Sequence, residues 1–244
     1  QMRRMERLTM SELPMLDGPF IAPKSGGAAK QLVIFLHGYG ASGADLIAIG
    51  HEWAPYLPDA AFVSPNAPAV CEAFSAGYQW FSIRAIDPEA FEREKQAAKA
   101  MPPLNAFIDA QMQKWGVAPE NVALVGFSQG AMMAMYTMPR RDKPCAGVIG
   151  YSGMLIEAAA LQEPDIVKMP ILAIHGSADE VVPPNMLNSV GQGFEAAGFN
   201  VETIMRPGLG HGIDGFGLTR GLEFLKECFD IAGNSDAAKA QVKL

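Results

Sequence analysis

From Val122 the chain runs Val122-Ala-Leu-Val-Gly-Phe127, then Ser128, then Gln129-Gly-Ala-Met-Met-Ala-Met135. An almost wholly apolar run, as expected for a strand covered on both faces, gives way at one serine to a good helix opening. A chain that turns from strand to helix so abruptly must hold the residue at the turn in a strained backbone conformation. Gly126 and Gly130, two positions to either side, remove the side-chain clashes that this turn would cause. The hydroxyl of Ser128 then stands clear of the sheet at the positive end of a helix. The letters G-x-S-x-G alone are weak, and an ordinary strand-to-helix turn is the bland alternative. What favours a nucleophile is a buried strand on one side and a helix on the other.

The rest of the chain repeats that alternation. Strands are predicted at Gln31–Leu36, Ala60–Ser64, Val122–Phe127, Gly147–Tyr151, Pro170–His175 and Asn200–Met205, with an antiparallel edge strand at Phe20–Ala22. Helices are predicted at Gly43–Ala54, Pro88–Trp115, Gln129–Met138, Pro184–Ala197 and Asp214–Ile231, the second kinked or restarted at Pro102-Pro103. Strands alternating with helices imply a mostly parallel sheet flanked by helices; with the strand–serine–helix turn inside it, the expectation is a single-domain α/β-hydrolase fold. Residues 67–87 show no period and are rich in aromatics. Residues 1–19 read as an extension, mobile or in part artificial because Gln1 precedes Met2; 20–232 read as the catalytic domain, and 233–244 as a mobile tail.

A serine hydroxyl at neutral pH needs a base beside it. The chain has 4 histidines, and in this fold the order is serine, acid, histidine. His37 and His51 precede Ser128. His175 closes a strand with no suitable acid between it and the nucleophile, since Asp165 lies in a polar stretch. His211, in the loop Pro207-Gly-Leu-Gly-His-Gly212, remains. The acid should end the preceding strand, and Ile171-Leu-Ala-Ile-His-Gly-Ser-Ala-Asp179 supplies it. Its competing role is to cap the helix that follows. Glu180 points elsewhere, and Asp214 is too close in sequence to His211. An imidazole base implies a rate that falls on acidification, in the range where free histidine titrates, near ~6.5. An oxyanion hole needs two N–H donors. One is that of Gln129; the other belongs to the loop Leu36-His-Gly-Tyr-Gly-Ala-Ser-Gly43.

Bulk properties exclude several classes. Apolar residues make up 49% and charged ones 18%, so a sizeable core is available. The net charge is −7, with no basic block, which argues against nucleic acid. No apolar run is long enough to span a bilayer, so stable membrane insertion is not expected. Cys71, Cys145 and Cys228 are odd in number and widely spaced, which fits no disulfide framework or zinc site and suits a reducing, cytoplasmic setting. No metal and no organic cofactor are expected. Homodimerisation is left open.

Together the motifs Phe35-Leu-His-Gly-Tyr-Gly40, Gln79-Trp-Phe-Ser-Ile83, Gly126-Phe-Ser-Gln-Gly130, His175-Gly-Ser-Ala-Asp-Glu-Val-Val-Pro183 and Gly210-His211 resemble the phospholipase/carboxylesterase family that contains the acyl-protein thioesterases. The resemblance runs from about Lys30 to Lys226, in the family's order. It implies a hydrolase domain without a large cap, oxyanion donors at Tyr39 and Gln129, and an aromatic pair by the acyl groove at Trp80-Phe81. A leucine is common in the family where Tyr39 stands. Candidate substrate contacts are Val70, Phe74, Trp80, Phe81, Met154, Leu155 and Val182. The expected activity is hydrolysis of short-to-medium acyl esters or thioesters through Ser128, His211 and Asp179. Alternatives are a lysophospholipase or acyl-protein thioesterase as the main role, a dienelactone-hydrolase-like lactonase, a peptidase, a membrane-surface lipase, or a non-catalytic binding module of this fold. Met132, Met133, Met135 and Met138 are read as core rather than as a lipid-facing surface.

Overall fold

The computed structural model describes residues 15–83 and 90–231. The tail 233–244, residues 1–14 and the expected helix start at Pro88 lie outside the described residues. Seven strands form one sheet in the order β1-β3-β2-β6-β7-β8-β9. They are β1 (Phe20–Ile21), β2 (Gln31–Leu36), β3 (Ala60–Val63), β6 (Val122–Phe127), β7 (Gly147–Tyr151), β8 (Ile171–Gly176) and β9 (Val201–Arg206). Only β1 runs antiparallel, pairing Phe20 with Val63 and Ile21 with Phe62 at the sheet edge. A two-stranded hairpin, β4 (Ala69–Val70) with β5 (Tyr78–Gln79), stands apart from the sheet. The helices are α1 (Gly43–Trp53), α2 (Ala90–Trp115), α3 (Gln129–Thr137), α4 (Met186–Ala196) and α5 (Gly215–Cys228).

Alternation along the strands divides the core into two layers. On one face Leu32, Ile34, Leu36, Leu124 and Val148 pack against α2, α3 and α4. On the other, Val33, Phe35, Phe62, Val125 and Leu172 pack against α1 and α5. Both faces are covered, which is why these strands read as unbroken apolar runs. α2 passes through Pro102 and Pro103 as one helix, so the expected restart does not occur. Ala97 and Ala100 before the pair and Leu104 and Ile108 after it are all buried, and this anchoring on both sides offsets the lost hydrogen bonds. Leu225 in α5 and Phe229 just beyond it are core, whereas Phe216 is 47% exposed and lies under the Arg206 guanidinium at 4.0 Å.

The strand order reverses beside β6. The chain leaves β2 for one edge of the sheet and, after β6, steps through β7, β8 and β9 to the other. At such a switch point the loops beyond the strand ends diverge and leave a crevice. The turn after β6 opens into that crevice, and its tightness dictates its glycines. A Cβ on Gly126 would lie 2.4 Å from the Ala131 nitrogen, and one on Gly130 would lie 1.9 Å from the Leu36 carbonyl oxygen. Gly130→Ala is therefore expected to lower stability by about 1–3 kcal/mol or more, since backbone rather than a flexible side chain must yield. Thermal melts of the wild type and the variant would test this, and equal midpoints would refute the packing argument.

Candidate active site

Ser128 has φ 53° and ψ −116°, a positive φ that a non-glycine residue rarely adopts. Its N–H donates to the Tyr151 carbonyl at 2.8 Å and its carbonyl accepts from the Met132 N–H at 3.1 Å, so both neighbouring elements hold it. The residue is 8% exposed and lines a cavity of about 410 Å3. Such a volume suits a small ligand.

Next along the strand ends come the loops after β8 and β9, stitched to each other. Ser177 N–H donates to the Arg206 carbonyl, Ala178 N–H to the Leu209 carbonyl, and Gly208 N–H to the Ser177 hydroxyl. This stitching carries His211 to Asp179, where Nδ1 lies 2.8 Å from Oδ2. Phe127 supports the imidazole, with ring centroids 4.9 Å apart. His211 lines the same cavity as Ser128. Asp179 is 4% exposed, behind the imidazole. Its other oxygen, Oδ1, accepts from the Val181 and Val182 N–H groups, each at 2.9 Å. The expected competition between capping and pairing with histidine is resolved by division of labour, one oxygen to each. Nor is α4 the structure being capped, because it starts only at Met186.

Burial works against ionisation of Asp179, yet the hydrogen bonds from His211, Val182 and Val181 outweigh it and hold the carboxyl below its usual range. A further donor stands close. His175, 1% exposed, has Nε2 2.9 Å from the Val182 carbonyl and 3.3 Å from Asp179 Oδ2. Asp214 has other duties: it caps α5 through Gly217 N–H and pairs with Arg206 at 2.9 Å. Glu180 and Asp165 are exposed.

Across the cavity from this pair of loops, the turn after β2 brings Gly38 and Tyr39 to the wall. His37 is fully buried, and burial holds its imidazole below the ordinary histidine range, against the Gly38 carbonyl and Asp45, which favour the charged form. The neutral ring is used at both nitrogens. Nε2 accepts from the Ala67 N–H at 3.0 Å, which leaves Nδ1 to donate to the Gly38 carbonyl at 2.7 Å. That carbonyl and the Tyr39 N–H share one planar trans peptide and point in opposite directions. Fixing the carbonyl thus aims the N–H. Gln129 N–H is one of the donors left free at the start of α3. Neither N–H donates to another group among the described residues.

Of the expected substrate contacts, Phe81, Met154 and Val182 line the cavity. Val70, Phe74, Trp80 and Leu155 do not. Val70 and Phe74 are each 61% exposed on the hairpin, with the Phe74 ring laid against Gly40. Trp80 is core, its indole N–H bonded to the His37 carbonyl at 3.0 Å. Leu155 covers Gly193 of α4. Met132, read as core, is 9% exposed and also lines the cavity; it lies one helical turn beyond Ser128. Met133, Met135 and Met138 are core. Ile83, Val181 and Pro183 complete the wall without any local signal in the sequence. Among the described residues no helix is long and apolar enough to cross a membrane, and no cluster has the makings of a metal site.

The depressed Asp179 carboxyl has a consequence for stability. A carboxylate whose folded pKa lies below its unfolded value of ~3.9 contributes fully above that value, and the contribution is lost as pH falls through the folded value. In denaturant melts between about pH 5 and pH 3, the wild type should lose more stability than Asp179→Asn, which lacks the titrating group. Equal losses would show that the carboxylate is not held by these donors.

Known proteins share this architecture. A model of the phospholipase/carboxylesterase family matches residues 17–229. The crystal structure of esterase PE8 superposes with a TM-score of 0.83 at 40% identity, covering 88% of this chain and 99% of that one. The Escherichia coli esterase YpfH is 29% identical over 207 residues, 85% of this chain and 87% of that protein. A Dictyostelium discoideum protein named acyl-protein thioesterase 1 homolog 1 is 30% identical over 185 residues, 73% and 82% respectively. Fold, site geometry and these matches agree, and the chain belongs to the phospholipase/carboxylesterase family of α/β-hydrolase enzymes.

Proposed function

We propose that the protein hydrolyses short-to-medium acyl esters or thioesters with Ser128 as nucleophile, His211 as base and Asp179 as its orienting acid. The observation that carries this reading is that a serine on a strained turn and a histidine held by a buried carboxylate line one apolar cavity. Ser128 Oγ attacks the acyl carbon while His211 takes its proton, and Asp179 stabilises the imidazolium through Nδ1. The carbonyl oxygen becomes an oxyanion, received by the N–H groups of Tyr39 and Gln129. A donor of this kind is worth about 3–4 kcal/mol in the transition state. His211 then protonates the departing alcohol or thiol. Water attacks the acyl-enzyme by the same route, and the carboxylic acid leaves.

The wall supports the substrate class. Phe81, Ile83, Phe127, Met132, Met154 and Val182 are apolar, and His211 is the sole titratable side chain on it besides Tyr39 among the described residues. An uncharged acyl chain loses nothing by entering, whereas a charged one finds no partner. Free thiols at Cys71, Cys145 and Cys228 suit a reducing compartment.

Side-by-side turnover of p-nitrophenyl esters, acyl thioesters and peptides, with Ser128→Ala as control, tests the reading. Hydrolysis of the first two and labelling by a fluorophosphonate are expected, both lost in Ser128→Ala. Asp179→Asn should lower kcat on the order of 10⁴-fold. Peptide cleavage without ester cleavage would replace the esterase reading by a peptidase.

A further inference from the structure

One wall of the cavity is assembled from two segments distant in sequence. Tyr39 and Ala41 come from the turn after β2, and Phe81 and Ile83 from the run after β5. Two devices join them, and a third ties the second segment to α3. Backbone pairing ties Gly40 N–H to the Tyr78 carbonyl and Tyr78 N–H to the Ala41 carbonyl, at 2.9 and 2.8 Å. The buried Gln129 amide fixes the inner end, its oxygen accepting from Trp80 N–H and its nitrogen donating to the Phe81 carbonyl, both at 2.8 Å.

The outer end rests on a carboxylate. Glu72 Oε1 accepts from the Tyr39 hydroxyl at 3.2 Å and from the Ile83 N–H at 3.0 Å, and Oε2 accepts from the Ser82 hydroxyl at 2.6 Å. Burial, then hydrogen bonds to Cys71 and Glu72, keeps the Tyr39 phenol above its ordinary range, so it remains a donor at any working pH. Glu72 is itself held, because its N–H donates to the Gln79 side chain at 2.9 Å. Ile83 is 47% exposed while lining the cavity, which places it at the mouth rather than the floor. Charge-assisted hydrogen bonds are the stronger kind, and one carboxylate here receives three donors from both sides of the wall.

We propose that Glu72 is a specificity-determining residue: by bridging Tyr39 and Ile83, its carboxylate sets the width of the cavity mouth and hence the longest acyl chain accepted. The inference rests on the esterase reading and concerns a residue outside its catalytic machinery. Glu72→Gln keeps the side chain's size but replaces one acceptor oxygen with an amide group that faces donors. With the bridge broken, Ile83 is free to swing from the mouth, and long chains gain room.

The full chain is assayed on p-nitrophenyl esters from acetate to decanoate. Glu72→Gln should raise kcat/KM for decanoate relative to acetate by about tenfold, on the scale of one or two methylenes of apolar contact, through a lower KM for the long ester. kcat on acetate should be unchanged. Ser82→Ala, which removes one donor and leaves the bridge, should move the ratio the same way by less, and decides alone if Glu72→Gln does not fold. An unchanged ratio, or an activity loss uniform across chain lengths, overturns the proposal. A wild type that cleaves none of these esters, or a Ser128→Ala variant that still does, overturns the esterase reading, and this inference with it.

Discussion

Ser128 sits in a backbone conformation of the kind that costs roughly 1–3 kcal/mol and persists only where its surroundings over-determine it. Here the surroundings are β6, central in the sheet, and α3, docked so closely that neither Gly126 nor Gly130 has room for a side chain. The strain is the means by which the hydroxyl leaves the sheet and enters the crevice. A relaxed turn would lay the serine along the strand or into the first turn of the helix, out of line with the loops beside it. Everything else at the site is arranged around a position that this turn alone defines.

The neighbouring loops meet that position with groups whose freedom has been removed in advance. A buried carboxylate is unfavourable unless its oxygens are occupied. Asp179 has two backbone donors on one oxygen and His211 on the other, with His175 Nε2 nearby. On the far side, buried His37 uses its own tautomer to fix the peptide plane that carries the Tyr39 N–H. His37 and His175 thus hold groups that flank Ser128. Under the proposed mechanism, donors fixed in this way before the substrate arrives need no reorganisation as charge develops.

Periodicity made the sheet legible: β2, β6 and β7 begin and end where the apolar runs do, because strands covered on both faces leave an unbroken signal. Chain order and strand ends pointed to Ser128, Asp179 and His211, and each stands in a loop or turn after its own strand. The wall of the cavity was far less legible. Val70 and Phe74 are apolar residues in a loop of unclear period, yet the hairpin they stand on turns them to solvent, and Trp80 is consumed by a bond to the His37 carbonyl. Ile83 lines the cavity on a run held by Glu72, and no local pattern records a hydrogen bond between residues eleven apart. At Pro102-Pro103 local propensity pointed to a kink or a restart, and of these the restart is overridden by tertiary anchoring on both sides.

That contrast has a physical origin. The groups around Ser128 are held by backbone at the ends of buried strands, where a change of side chain elsewhere is felt weakly. The outer end of the wall between Tyr39 and Ile83 is held by a side chain nearer solvent, the carboxylate of Glu72. Under the proposed function, reaction and selectivity rest on interactions of different depth, the deeper at Asp179 and His37 and the shallower at Glu72.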